Sequence, residues 1–305
     1  MLATMGGAAP VWADAAGVQR SRPEVVIVAY GAPALLREAL GPLGDFAVTI
    51  VDNSSSPDIA AIADEAGATY WDPGDNLGFG GGVNHALARR RTPGSDVLLL
   101  NPDAVVEPET IARMQRALHA GPRIATVGPR QADPDGHPAQ VEWPYPRPAH
   151  FVADAVKLGR LVPTGPTYVI GSVLMIRADA LAEVGLFDDD FFLYAEEADW
   201  EYRAHRAGWR NVVAQDAAAL HVGAGTSSDP VRREVFLQAG MERYLRKHHG
   251  VVGWQLARWS VVVGSLPRSV FLRGERRAAA RARGALFARG PVKVEAAYRA
   301  RPVAG

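Results

Sequence analysis

The sequence predicts an α/β fold with a Rossmann-like nucleotide-binding half, on three observations. First, β-branched or apolar runs alternate with helical segments in β-α-β-α-β order over residues 23–71. That order requires parallel strands joined by right-handed crossovers. Second, Val97-Leu98-Leu99-Leu100 is apolar without alternation, as in a central strand buried on both faces. Third, polar clusters follow these strands directly, Asp52-Asn53-Ser54-Ser55-Ser56 after one and Asn101-Pro102-Asp103 after another. They fall at carboxyl edges, where open α/β sheets bind ligands.

Each element has a local reason. Pro23–Tyr30 is a β-branched strand ended by Gly31, and Ala34–Leu40 has helical spacing and stops at Gly41-Pro42. Phe46–Val51 is the second strand, Ile59–Ala66 a short helix and Ala68–Trp71 the third strand. Asp52 could accept a hydrogen bond from a base or ribose, or it could close an Asx-turn. Gly78, Gly80, Gly81 and Gly82 suggest a loop that brings backbone N–H groups to phosphate or sugar oxygens, with a helix from Val83. The spacing is not that of a dinucleotide fingerprint.

Proline ends the strand at Leu100. Asp103 then offers a hard carboxylate suited to Mg²⁺ or Mn²⁺ carrying a diphosphate, or caps the helix expected over Pro108–Ala120. Ile124–Pro129 reads as a strand. Residues 130–166, rich in Pro, Gly and charge, read as a mobile binding loop or lid. Tyr168–Ile176 is expected as one long buried strand and Ala178–Val184 as a helix. Phe187–Arg203 sets acids among aromatics and delivers Glu196 and Glu197 to the start of a helix running to Ala207. Carboxylates are favoured there electrostatically, and an adjacent acid pair under an apolar rim also makes a general base. Asp199 reads as a first-turn helix contact. Val212–Ala214 and Ala218–His221 are expected as short strands. His221 is a structural strand-end histidine or a metal ligand beside Asp103.

The chain has 305 residues, 48% hydrophobic, with 33 basic and 33 acidic side chains. That suffices for one large domain and an appendage. Residues 251–305 hold 11 Lys/Arg against 2 Asp/Glu, leaving 22 against 31 in residues 1–250. An acidic body thus carries a basic tail. Without cysteine there is neither a disulfide framework nor a thiolate zinc site, and a cytoplasmic location fits. Residues 1–22 read as a disordered leader or an over-extended start, 23–249 as the main domain and 250–305 as a basic amphipathic helical extension. After the amphipathic helix Val231–His249, Trp254, Trp259, Leu266, Phe271 and Phe287 alternate with arginines. That pattern fits a helix lying on an anionic membrane surface, or a helical hairpin packed on the core. No run is long enough to span a bilayer, and no nucleic-acid reader motif occurs.

Taken in order, seven segments over residues 24–249 resemble the inverting family-2 glycosyltransferases of GT-A fold. They are Val26–Tyr30, Val51–Ser55, Asn76–Asn84, Leu100–Asp103, Gly171–Arg177, Gly185–Asp199 and His221. The resemblance is narrower to the bacterial rhamnosyltransferase branch, which includes activity on polyprenyl-diphosphate-linked GlcNAc in mycobacterial cell-wall linker synthesis. It implies a mixed central sheet and a helical C-terminal extension. It implies Tyr30 and Asp52 at the nucleotide base, Asn76, Gly78 and Asn84 in the donor pocket, and Asp103 with His221 at a Mg²⁺ or Mn²⁺ ion. Asn101 fills the first acidic position of the metal motif. The acid pair falls on Glu196 and Glu197, with Glu197 in the base position. The implied reaction moves L-rhamnose from dTDP-rhamnose to a glycan or polyprenyl-diphosphate-linked acceptor, at the inner face of the cell membrane. A same-fold enzyme using a UDP-hexose or UDP-galactofuranose, a non-catalytic nucleotide-sugar-binding module and a nucleotidyltransferase are the competing readings.

Overall fold

A computed structural model describes residues 11–13, 19–163, 165–223 and 229–299. The chain divides into two units, one of residues 1–143, 169–187 and 200–226, the other of 144–168, 188–199 and 227–305. The first unit opens with β1 (Val11–Ala13), β2 (Gln19–Ser21), β3 (Glu24–Ala29), α1 (Pro33–Leu40), β4 (Val48–Asp52), α2 (Pro57–Glu65) and β5 (Thr69–Trp71). It continues through α3 (Gly78–Leu87), β6 (Val97–Leu100), β7 (Ala104–Val105), α4 (Pro108–Leu118), β8 (Ile124–Ala132) and β9 (Pro138–Ala139). The chain passes between units at β10 (Glu142–Pro144), and again at β11 (Thr167–Val169) after α5 (Pro148–Ala155). Then come β12 (Val173–Ile176), α6 (Ala178–Val184), α7 (Glu196–Arg206) and β13 (Arg210–His221). The helices α8 (Pro230–Phe271), α9 (Gly274–Arg289) and α10 (Pro291–Arg299) follow.

Helices α1, α2, α4, α5, α8 and α10 all begin at proline. The first helical position needs no N–H and is pre-set by a fixed φ. This accounts for α5, which lies inside the stretch expected to be a mobile lid. Counted as loop signals, its prolines mark a helix start and the flanks of short strands.

The first unit is built on one nine-stranded mixed sheet in the order β5-β4-β3-β6-β12-β8-β13-β7, with β9 beside β8. β5, β4, β3 and β6 run parallel. β12 is antiparallel to β6 and β8, and β13 is parallel to β8. The expected mixed sheet is therefore present. Two apolar layers cover it. Leu36, Ile59, Ile111 and Met114 pack on one face, and Val83, Leu181, Phe187 and Trp200 on the other.

Four local readings change. The glycine-rich segment is not a loop but the first half of α3, starting at Gly78 with φ 74°. A Cβ at Gly82 would stand 2.7 Å from Val28 Cγ1, so glycine there lets α3 approach β3 closely. The strand expected over 168–176 is broken between β11 and β12, where Ser172 O accepts from Asn101 N at 2.8 Å. The two strands expected at 212–221 are one irregular strand, shifted in register between Ala214 and Ala218. Within the segment read as a leader, β1 and β2 pair antiparallel, with Val11 opposite Ser21. Residues 1–10 and 14–18 lie outside the described residues.

In the second unit α8 is two helical segments joined at a kink, Gly250 with φ 68°, where the tail was expected to begin. Trp254 and Phe287 pack as a tilted ring pair, centroids 5.8 Å apart, in the small core shared by α8 and α9. α8 and α9 thus form a helical hairpin within the second unit.

Gly82→Ala should destabilise the first unit. The overpacking cost of about 1–3 kcal/mol opposes a helix-propensity gain of about 1 kcal/mol. A urea midpoint lower than that of the unsubstituted protein is the expected outcome, and an unchanged or higher midpoint would contradict the close-packing role.

Candidate active site

Parallel pairing brings the ends of β3, β4 and β6 to one edge. Ala29 lies opposite Asp52, and Val26 opposite Leu99, so the residues after these strands share that edge. Tyr30 follows β3 there and is half-buried. Asp52 is fully buried, and its carboxylate accepts from Ser54 N and Oγ, Ser56 N and Tyr70 Oη at 2.5–3.0 Å. The Asx-turn alternative describes it: Asp52 shapes the 53–56 turn, whose Ser54 Oγ accepts from Gly31 N at 3.1 Å. Burial first, then the bond to Asp52, pushes the Tyr70 hydroxyl up to about 12.

Asn53 was not singled out in the sequence, yet it joins the end of β4 to the start of α3. Its Nδ2 donates to Gly78 O at 2.8 Å, and its Oδ1 accepts from Leu77 N at 3.4 Å. Asn76 Oδ1 accepts from Gly78 N at 2.9 Å. Asn84, nearly two turns further along α3, exchanges two hydrogen bonds with the Phe187 backbone at 2.9 and 3.0 Å. Its amide ties α3 to the loop after α6. The only hint in the sequence was an Asn directly after the strand-end Asp.

Asp103 and His221 meet, as expected. Asn101 O accepts from Ala104 N at 3.1 Å, closing a turn that leaves Asp103 just beyond β6. His221 ends β13, opposite Ala104 in register, and its Nε2 lies 3.3 Å from Asp103 Oδ1. Adjacent ligands about 2.1 Å from one ion, set at right angles to tetrahedral angles, stand about 3.0–3.4 Å apart. The pair thus fits two neighbouring positions on one divalent cation, with a hard oxygen and an imidazole nitrogen as donors. Diphosphate oxygens would supply others. Among the described residues, one three-residue cluster of potential ligands is Asp133, Asp135 and His137. It is the turn of the β8–β9 hairpin, where Asp133 Oδ1 accepts from His137 N at 2.8 Å, a turn-closing role.

Glu196 and Glu197 belong to the second unit, with Asp188–Asp199 and α8. Tyr194 and Ala195 precede them with φ of 68° and 70°, left-handed values that cost non-glycine residues about 1–3 kcal/mol each. A Cβ on Gly240 of α8 would overlap the Tyr194 carbonyl oxygen and approach Ala195 Cβ to 3.2 Å. Glycine at 240 is therefore what lets α8 cradle this turn. Asp199 does more than contact its own helix turn. Fully buried, its Oδ1 lies 2.8 Å from Lys247 Nζ and 2.7 Å from His248 Nε2, both on α8. Against the upward push of burial, Lys247 and the Asp190 N–H hold the Asp188 carboxyl below its usual range. Glu196 is 4% exposed, and Oε2 has no hydrogen-bond partner among the described residues. Burial first, then the charge of Glu197, raises the Glu196 carboxyl well above its ordinary value.

The rest of α7, from Trp200, belongs to the first unit and is anchored within it. Trp200 Nε1 donates to Gly185 O at 2.7 Å, and Arg203 donates to Val184 O and Leu186 O at 2.9 and 2.8 Å. Buried Glu201 accepts from Thr126 Oγ1 and Val169 N, both at 2.7 Å. These residues lay inside the segment that suggested the acid pair, but nothing in their spacing marked them as anchors.

A Rossmann-like mixed sheet followed by a helical extension is the architecture of the GT-A class. The model of glycosyl transferase family 2 matches residues 24–185. The chain belongs to that family. It is 28% identical over 274 residues to the N-acetylglucosaminyl-diphospho-decaprenol L-rhamnosyltransferase of Mycobacterium tuberculosis, covering 78% of this chain and 88% of the relative. It is 27% identical over 206 residues to the low-salt glycan biosynthesis hexosyltransferase Agl10 of Haloferax volcanii, covering 65% and 66%. In fold it is similar to a mannosyltransferase of Pyrobaculum calidifontis in complex with GDP-mannose and Mn²⁺. That match has a TM-score of 0.56 at 14% identity, covering 92% and 84% of the two chains. The protein is an inverting, catalytic glycosyltransferase that moves a sugar from a nucleotide-sugar donor to a glycan or lipid acceptor.

Glu196 binds its proton more tightly folded than unfolded. Its contribution to stability is intact below the ordinary glutamate range and is lost as pH rises towards its raised folded value. Glu196→Gln should therefore flatten the fall in melting temperature as pH rises above the ordinary glutamate range, and melt higher than the unsubstituted protein on the alkaline side. Superimposable pH profiles would show Glu196 ionising without cost.

Proposed function

We propose that the chain transfers a hexosyl or deoxyhexosyl group from a nucleoside-diphosphate sugar to a hydroxyl of a glycan or polyprenyl-diphosphate-linked acceptor. The observation that carries this is the Asp103–His221 pair at the carboxyl edge of β6, set beside membership of the family. The donor is the broader matter. Relatives with different sugars in their names favour a hexose donor of unspecified identity, so a UDP-hexose or UDP-galactofuranose stands ahead of dTDP-L-rhamnose. Rhamnose rests on the mycobacterial relative alone.

In this reading Glu197 takes the proton from the acceptor hydroxyl as its oxygen attacks the anomeric carbon, and the nucleoside diphosphate leaves with inversion. Burial and the charge of Glu197 favour the protonated form of Glu196, which disfavours a second negative charge beside Glu197. Asp103 and His221 would hold Mg²⁺ or Mn²⁺, which when bound neutralises charge building on the leaving diphosphate. Tyr30 and the Asp52 turn would receive the base. Asn76 and Gly78 would border the donor, with Asn84 setting the backbone at Phe187. A lipid-linked acceptor would place the enzyme in the cytoplasm, against the inner face of the membrane through its C-terminal helices.

The test is product mass spectrometry over a panel of UDP-, GDP- and dTDP-sugars with lipid-linked and soluble glycan acceptors. One donor should yield an inverted glycoside, and Glu197→Gln should lower kcat by at least about 10²–10⁴-fold, the span of general-base catalysis. Donor affinity should stay within a few-fold. Turnover by the Gln variant close to that of the unsubstituted enzyme would remove Glu197 from the base role.

A further inference from the structure

The C-terminal half of α8 carries two unlike faces within the second unit. Its inner face is packed. Trp254, Ala257 and Ser265 are buried, and Gly264 meets Ala155 where a Cβ would stand 3.0 Å away. Gly284 of α9 lies equally close to Ser265, so small residues seat α9 on this side. The outer face is bare. Val252, Leu256, Trp259, Val263, Leu266 and Val270 are each 51–73% exposed. At 3.6 residues per turn they fall within an arc of about 80° and extend about 27 Å along the helix. Phe271, 82% exposed, ends the stripe.

Two features adjoin it. Arg268 donates to Asp154 O at 2.9 Å, which holds the end of α5 beside α8. Just beyond, Val156, Leu158 and Leu161 are 51–76% exposed and widen the apolar surface. At the other border the chain turns basic. Residues 268–289 contain seven arginines against the single acid Glu275, and Arg273, Arg276, Arg277, Arg281, Arg283 and Arg289 are all exposed. Among the described residues no helix is long and apolar enough to cross a membrane.

We propose that this face is an interfacial docking surface for anionic phospholipid, with the stripe Val252–Phe271 seated at the headgroup–acyl boundary and the 268–289 arginines on lipid phosphates. An apolar stripe that ends in a cationic cluster matches the chemistry of that boundary, apolar beneath and negatively charged above. Trp259 has the amphipathic ring that such interfaces favour. A second copy of the chain matches it poorly, because a two-fold contact over the stripe would gather arginines with only Glu275 to offset them. The proposal deepens the lipid-linked acceptor reading and rests on it for its purpose, but its physical content is independent of which sugar moves.

The test is flotation of the full chain with vesicles of phosphatidylglycerol and phosphatidylcholine, and of phosphatidylcholine alone. Binding should need the anionic lipid and fall as salt is raised. The double variant Trp259→Ser, Val263→Ser should lose at least tenfold in partition coefficient. The triple variant Arg276→Ala, Arg277→Ala, Arg281→Ala should lose on the order of a hundredfold. All these positions are exposed, so circular dichroism should match the unsubstituted chain, and transfer to a soluble acceptor should stay within twofold. Equal partition of both variants, or binding indifferent to lipid charge, overturns the proposal. So does light scattering that shows a dimer which the double variant dissociates. Lost transfer with intact vesicle binding would instead contradict the catalytic reading.

Discussion

The parallel register of β3 with β4 and β6 is the constraint from which the rest of the first unit follows. Once Ala29 stands opposite Asp52 and Val26 opposite Leu99, the turns after three strands share one edge. Those turns carry Tyr30, Asp52 and Asp103, residues assigned to the donor. The register is strongly set because the strands are buried on both faces, and a one-residue slip would put each side chain into the opposite layer. The edge is then finished by local chemistry: Asp52 folds its own turn, Asn53 fastens the start of α3, and Pro102 ends β6 so that Asp103 can meet His221.

Glu196 and Glu197, the proposed catalytic acids, are held by other means. Glu196 and Glu197 follow two residues in left-handed backbone, an arrangement that persists only where surroundings over-determine it. The surroundings are visible within the second unit: Gly240 makes room for the Tyr194 carbonyl, and buried Asp199 is fixed by Lys247 and His248. All three partners lie on α8, downstream of the segment matched by the family model. An element peripheral in sequence therefore packs against the turn that carries the residues assigned to the chemistry, and its far half exposes an apolar stripe.

Much of the fold was legible because its signals are local. The buried strands at 24–29, 48–52 and 97–100 read directly as apolar runs, and glycine and proline marked most helix boundaries. The Asp103–His221 meeting was legible too, as a carboxylate and an imidazole each at a strand end. What was not legible depended on packing across long separations. Gly82 looked like loop glycine, and only the closeness of Val28 shows it as a helix–strand contact. The resemblance placed Asn84 in the donor pocket, and only the fold shows that its amide also holds the Phe187 backbone. Pro148 looked like loop proline, and it is a helix start. Trp200, Glu201 and Arg203 gave no sign that they anchor α7, because their partners at 184–186, 126 and 169 are remote in sequence.

The central claim is that Asp103 and His221 serve a metal-held diphosphate at the edge of β6. The most direct measurement is calorimetric titration of UDP and dTDP, with and without Mn²⁺, into the unsubstituted chain and Asp103→Asn. The account predicts that Mn²⁺ strengthens binding of at least one nucleotide at least tenfold and that the Asn variant loses this gain while still folding. An Asn variant with the same Mn²⁺-dependent affinity would contradict it.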